Sequence, residues 1–196
     1  EQALQRQLPV DEHRQLGDGE SAFLGLFLAA ARPDPLGSVL LVADVGEHAN
    51  WPELIEPARV RLSEAGWHTL AIGLPDAPMP RIGAAEADTT EAQRLFQERV
   101  VNRLTLGLGL LGETGATPLA VFARGQAGFW VVSQQDALAS VDALVIHQPR
   151  QAVDGERLEP FLQNWKKPLL DIATKGVSGR SDAARAGDRR QVWALF

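Results

Sequence analysis

The stretch Pro118-Leu-Ala-Val-Phe-Ala-Arg-Gly-Gln-Ala-Gly-Phe-Trp130 decides the fold. It opens as an apolar run behind a proline, whose missing N–H costs little at the first residue of a strand. The small residues around Gly125 then turn the chain, and a helical apolar pattern begins at once. Strand, tight turn and helix therefore follow one another with no loop between them. Working outward, runs of roughly four to eight apolar residues recur at 23–30, 38–45, 68–74, 119–123, 143–147 and 169–173, each bounded by Gly, Pro or Asp. Several are apolar on both faces. Helical patterns lie between them at 52–65, 90–111, 126–139, 155–165 and 181–190. In the second of these, Leu95, Phe96, Arg99, Val100, Arg103 and Leu104 follow the i, i+3, i+4 spacing of an amphipathic helix. Buried strands alternating with such helices predict a mostly parallel sheet covered on both faces, a three-layer α/β/α sandwich.

Local chemistry marks several boundaries. Pro52 suits a first helical turn, Gly66 the left-handed position that ends a helix, and Pro118 and Pro168 the starts of strands. Residues 2–16 place Leu4, Leu8 and Leu16 among polar residues with Pro9 breaking the register, so the first 18 residues are expected to form a partly helical, exposed lead-in. Residues 75–90, with three of the twelve prolines, are expected to be an irregular excursion rather than a boundary. A length of 196 residues suits one domain spanning 1–196. Residue 1 is Glu, which suggests a trimmed N-terminus.

Composition narrows the function classes. Hydrophobic residues at 45% and charged residues at 22% are the balance of a chain that folds. A net charge of -6, with no dense basic block, makes nucleic acid an unsuitable partner. With zero Cys, disulfides, thiolate metal sites, iron–sulfur clusters and a Cys nucleophile are all excluded. Four scattered His with no i, i+4 pair predict no metal site. Apolar runs such as 23–31 fall well short of the roughly 20 residues that span a bilayer, so no transmembrane segment is expected. Gly107, Gly109 and Gly112 superficially suggest a phosphate loop, but they follow a helix and lack the Lys-Ser/Thr, so they read as a helix end packed close to the sheet and no cofactor is expected.

The turn at Ala123-Arg124-Gly125-Gln126-Ala127-Gly128 resembles the nucleophile elbow of α/β-hydrolases, in which small residues flank a strained central Ser, Cys or Asp. Here the flanking small residues are Ala123 and Ala127, and Gly125 stands in the centre with no side chain to attack anything. Other segments follow in the order of that fold: Ala43-Asp44-Val45-Gly46-Glu47-His48 where an oxyanion loop belongs, then Gly66-Trp67-His68-Thr69-Leu70 leading to Leu74-Pro75. Together with Trp51-Pro52 and Pro168-Leu169-Leu170-Asp171-Ile172, these motifs resemble an uncharacterised bacterial family of α/β-hydrolase-like envelope proteins, domain of unknown function 3530, over roughly residues 20–196. The resemblance implies an α/β-hydrolase type fold and a periplasmic or envelope location, with the cytoplasm as the alternative. It implies no substrate.

A triad acid would follow the strand at 168–173, where no carboxylate appears before Asp182, and its His would follow a last strand at 191–196, where the chain stops. No catalytic residue is therefore assigned, and the degenerate elbow is Ala123, Arg124, Gly125, Gln126, Ala127 and Gly128. Val45, Gly46, His48, His147 and Asp171 form a candidate binding rim, although each His also reads as a residue bonded to its neighbours and Asp171 as a carboxylate bonded to the turn or to an Arg. Arg124 beside the helix start is a candidate anion holder. His13 and His68 read as structural or exposed. Ser133 and Ser178 are not presented as nucleophiles, and the five Trp and seven Phe read mostly as core, with Trp130 and Trp165 as candidates to line a cleft. The expectation is a non-catalytic α/β-hydrolase-like protein, a pseudoenzyme, that binds an unidentified ligand or protein partner. The alternative is a weak esterase-type hydrolase in which His48 or His147 activates water and the N–H groups of Val45 or Gly46 and of Gln126 form an oxyanion hole. A third reading, an open flavodoxin-like sheet, requires that strand 23–30 not run antiparallel to its neighbour.

Overall fold

The computed structural model describes residues 2–78, 86–150 and 158–172. Among them, β3 (Gly37–Val42) is buried at every position because both of its faces are covered, which is why Val39 to Val42 are all apolar. It pairs in parallel with β4 (Trp67–Ile72) on one side and β5 (Leu119–Arg124) on the other. The parallel ladder continues through β6 (Ala143–His147) to β7 (Leu169–Ile172). On the opposite flank β2 (Phe23–Leu28) runs antiparallel to β4, and β1 (His13–Leu16) antiparallel to β2. The described sheet has the order β1-β2-β4-β3-β5-β6-β7.

Successive side chains of a strand point to opposite faces, so each strand feeds two cores. Leu40, Val42, Leu70, Ile72, Val121 and Ala123 join one cluster with α3 (Glu86–Glu113) and α4 (Gln126–Ser133). Val39, Leu41 and Ala71 join the other with Ile55, Ala58 and Leu62 of α2 (Ile55–Glu64). In α3 the residues Phe96, Val100, Leu104, Leu108 and Leu111 make the buried stripe. Gly107 lets that helix approach closely, since a Cβ there would lie 3.0 Å from Leu40 Cδ1. The result is the expected three-layer, mostly parallel architecture of the α/β-hydrolase type. The antiparallel pairing of β2 with β4 removes the flavodoxin-like reading.

Several elements differ from their expected extents. The lead-in holds α1 (Gln2–Gln7) and then contributes β1 to the sheet edge, with Leu4 buried under the α2 layer. The stretch His13-Arg-Gln-Leu16 carries one aliphatic side chain, and its strand state comes from backbone pairing to β2, which periodicity does not register. Residues 86–90, expected to be irregular, already belong to α3. The pattern at 126–139 is broken after Ser133, where a 3-10 turn Gln135–Leu138 follows; the Lys167 ammonium closes the segment by donating to the carbonyls of Ala139 at 2.7 Å and Val141 at 2.5 Å. The pattern at 155–165 is described only as α5 (Glu159–Asn164), and the elements expected at 181–190 and 191–196 lie outside the described residues.

Arg59 of α2 ties the lead-in to the core. It is 2% exposed, donates to Glu12 Oε2 at 2.6 Å and to Asn50 Oδ1 at 3.0 Å. Losing the anion strands a buried cation, whereas losing the cation leaves a carboxylate nearer to water. We expect Glu12→Ala to lower unfolding stability by about 3 kcal/mol and Arg59→Met, which keeps the packed stem, to cost less. Urea denaturation of the two variants checks the order.

Candidate functional site

Both halves of the site sit at the C-terminal edge of the parallel strands. β5 enters α4 through Gly125, whose φ of 57° and ψ of -128° lie in a region that side chains strongly disfavour. Main-chain bonds pin this corner: the Gly125 N–H donates to the His147 carbonyl at 2.9 Å, and the Gly125 carbonyl accepts the N–H of Arg150 at 3.1 Å and of Gly128 at 3.2 Å. The corner is therefore nailed to the end of β6.

Facing it is Asp44, two residues beyond the end of β3. Its carboxylate is buried, the residue being 3% exposed, and it lies directly over Gly125. A Cβ built on Gly125 would fall 2.0 Å from Asp44 Oδ2 and 2.4 Å from its Cγ. Oδ1 accepts two backbone N–H groups, from Val45 and from Gln126, each at 2.8 Å. Oδ2 accepts the Arg150 guanidinium, whose side chain lies mostly in solvent. Two convergent N–H donors at this distance are the arrangement that stabilises an oxyanion. Here the anion is a side chain of the same chain.

A second ring of charges holds Asp44's turn. The Asp44 N–H donates to Glu47 Oε2 at 3.1 Å, and the Glu47 N–H returns to the Asp44 carbonyl at 2.9 Å. Arg124 reaches Glu47 Oε1 at 2.6 Å and Glu53 Oε2 at 2.8 Å. Burial opposes the charge on Arg124, and its bonds to Glu53 and Glu47 outweigh that, so its pKa lies above the ordinary value. The expected anion holder is thus engaged with carboxylates of its own chain.

The rim residues do not converge as a set. Val45 and Gln126 meet through their N–H groups, while Gly46 lies one residue beyond Val45 in an exposed turn. His48 is exposed, accepts the Asn50 N–H on Nδ1 at 3.2 Å and stands edge-on to Trp51. His147 pairs with Arg124 in the β5–β6 register and stacks on Phe122, with ring centroids 6.2 Å apart. Burial, and then the Arg124 charge, push its pKa below the ordinary 6.5. Asp171 is half-buried in β7 opposite Ile146. The expected positions for a triad acid and His lie beyond residue 172, outside the described residues. Ser133 donates its hydroxyl to the Trp130 carbonyl at 3.0 Å. Trp130 belongs to the core, edge-on to Phe96 and Phe129, and not to a cleft wall, because α4 is buried from Ala127 to Val132.

The sequence reading missed Asp44 and Arg150 as site residues. A charged residue that follows the buried apolar run Val39–Ala43 is a signal for Asp44; Arg150 carries none, since its reach depends on the turn after β6.

A family model for a protein of unknown function (DUF3530) matches residues 1–94, a span that includes Asp44 and the turn to Trp51 and ends before the Gly125 corner. No curated protein matches the chain. Among solved structures, Est1E from Butyrivibrio proteoclasticus is similar over 90% of this chain and 84% of its own, with a TM-score of 0.61 at 13% identity. A dienelactone hydrolase-like promiscuous phosphotriesterase from metagenomic libraries gives 0.61 at 14% identity, covering 90% of this chain and 74% of that one. The esterase domain of a Rhodothermus marinus protein gives 0.57 at 13% identity, covering 91% and 81%. At such identities the likeness is one of fold, and the fold is of the α/β-hydrolase type.

Two outcomes follow from this geometry. Gly125→Ala drives the Asp44 carboxylate off its donors and adopts a disfavoured backbone region, so it should cost about 2 kcal/mol or more. Combined with Asp44→Ala, the loss should fall short of the sum of the two single losses by about 1 kcal/mol, read from a double-mutant cycle in urea. His147, with its pKa depressed in the folded state, contributes stability that is present above its ordinary value and lost as pH falls through the folded one. Between about pH 7 and about pH 5, His147→Gln should therefore show a flatter fall in unfolding midpoint than the parent protein.

Proposed function

We propose that this chain is a non-catalytic α/β-hydrolase-like protein that binds a ligand or protein partner, with the Gly125 corner as a nucleophile turn that has lost its nucleophile. The observation that carries the reading is the Asp44 carboxylate seated over Gly125, with the N–H groups of Val45 and Gln126 both bonded to Oδ1. Acyl transfer needs an attacking group and a free donor pair for the developing oxyanion. Gly125 supplies no attacking group, and the donor pair is already satisfied by a full negative charge. The same charge repels a second anion forming beside it. The rim left for binding is the exposed turn at Gly46 and His48 together with Arg150; His147, stacked on Phe122, and Asp171, opposite Ile146, lie on opposite faces of the sheet and do not extend it as one surface. The bacterial envelope location that accompanies the motif resemblance is part of this reading.

A water-activating hydrolase draws support from His147, whose depressed pKa favours the neutral imidazole, the form that can accept a proton. Its donor pair, however, is the one that Asp44 holds.

The test is hydrolysis of a panel of short-chain p-nitrophenyl acyl esters by the folded full chain. The expected rate equals the buffer background and is unchanged in His48→Ala and His147→Ala. Turnover above background that vanishes in either variant establishes the water-activating hydrolase instead.

A further inference from the structure

We propose that the Gly125 corner is an assembled carboxylate site that Asp44 occupies from within, so that a small free carboxylate takes its place when the Asp44 side chain is removed. The proposal rests on the reading of this corner as a converted nucleophile turn.

The donors do not depend on the residue they hold. The Gln126 N–H is the first of α4, an eight-residue helix, and its position is set by the corner's main-chain bonds to His147 and Arg150. The Val45 N–H belongs to the turn closed by the Glu47 N–H on the Asp44 carbonyl, a main-chain bond in which the Asp44 side chain takes no part. Arg150 approaches from the solvent side, 67% exposed at its side chain, against 5% for Asp44. One oxygen bonded by two N–H groups and the other by a guanidinium is a complete set of partners for a carboxylate. The charge, the two oxygens and the burial all specify that ligand class over a neutral or apolar one.

Asp44 holds the site because it is tethered. An anion carried on the adjacent residue has an effective concentration that free carboxylates at ordinary levels do not match. The Glu47–Arg124 ion pair, at 2.6 Å, keeps the tether in register by holding the acceptor of the Asp44 N–H.

Formate is the probe, because it is the carboxylate that fits the volume vacated in Asp44→Ala. With the full chain at matched ionic strength, replacing chloride by formate at about ten times its dissociation constant should raise the melting temperature of Asp44→Ala by about 3 °C, and that of the parent protein by less than about 1 °C. The Val45 and Gln126 amide resonances of the variant should shift with formate, and Arg150→Ala in the same background should remove more than half of the thermal gain. If Asp44→Ala does not hold its fold in chloride, Asp44→Ser carries the same comparison. An equal formate response in variant and parent, or a variant response without the two amide shifts, overturns the proposal. Ester turnover is measured on the same samples: turnover by the parent protein ends the non-catalytic reading whatever formate does, and a missing formate response without turnover overturns the masked site alone.

Discussion

A carboxylate and a side chain on residue 125 cannot occupy the same volume, and in this protein the carboxylate has it. Asp44 lies so close over the strand-to-helix corner that any Cβ on residue 125 would overlap its oxygens. The corner's left-handed backbone calls for glycine in any case, so geometry and contact demand the same residue. In return the corner supplies the Gln126 N–H that makes the burial of Asp44 tolerable, with the Val45 N–H and Arg150 completing its partners. A buried carboxylate without such donors would be strongly destabilising. Gly125 and Asp44 are thus two halves of a single arrangement, one empty and one filling.

That arrangement is held by the sheet more than by the loops that carry it. β3 delivers Asp44 and β5 delivers Gly125, and these two strands are adjacent in the parallel ladder, with Val42 opposite Ala123. β6, next in order, delivers the His147 carbonyl and the turn to Arg150. Three neighbouring strands therefore end at one edge, where open α/β sheets place their ligands. The two hydrophobic layers on either face keep those ends in register, so the geometry of the polar contact is a consequence of core packing around Leu40, Val42, Val121 and Ala123 on one face and Val39 and Leu41 on the other.

Charge compensation then spreads outward. Arg124 points away from the corner to join Glu47 and Glu53, so that the turn bearing Asp44 is itself clasped by an ion pair. A positive charge beside a helix start invites an anion-binding reading, and in isolation residue 124 deserves it. The structure assigns its charge to stabilising acidic neighbours, and the anion-facing cation is Arg150, which lies 26 residues further along the chain in a turn with no apolar periodicity to announce it.

The central strands were legible because continuous apolar runs between Gly, Pro and Asp have few other solutions, and the amphipathic stripe of α3 was legible for the same reason. β1 was not, because one Leu among His, Arg and Gln forms a strand only when β2 offers its edge. The close of the segment before β6 involves Lys167 reaching back to the Val141 carbonyl, a contact across 26 residues that no local pattern registers. Aromatic residues here read mostly as core with Trp130 a cleft candidate, and its place is fixed only once α4 is seen to be buried around it. What the residues alone determined was the layered fold and a strand-to-helix corner with a glycine at its centre, since these follow from local periodicity and from the small residues of the turn. That Asp44 lies over this glycine and is latched by Arg150 was decided only when β3, β5 and β6 were brought side by side, because hydrogen-bond partners 82 and 106 residues apart share no local pattern.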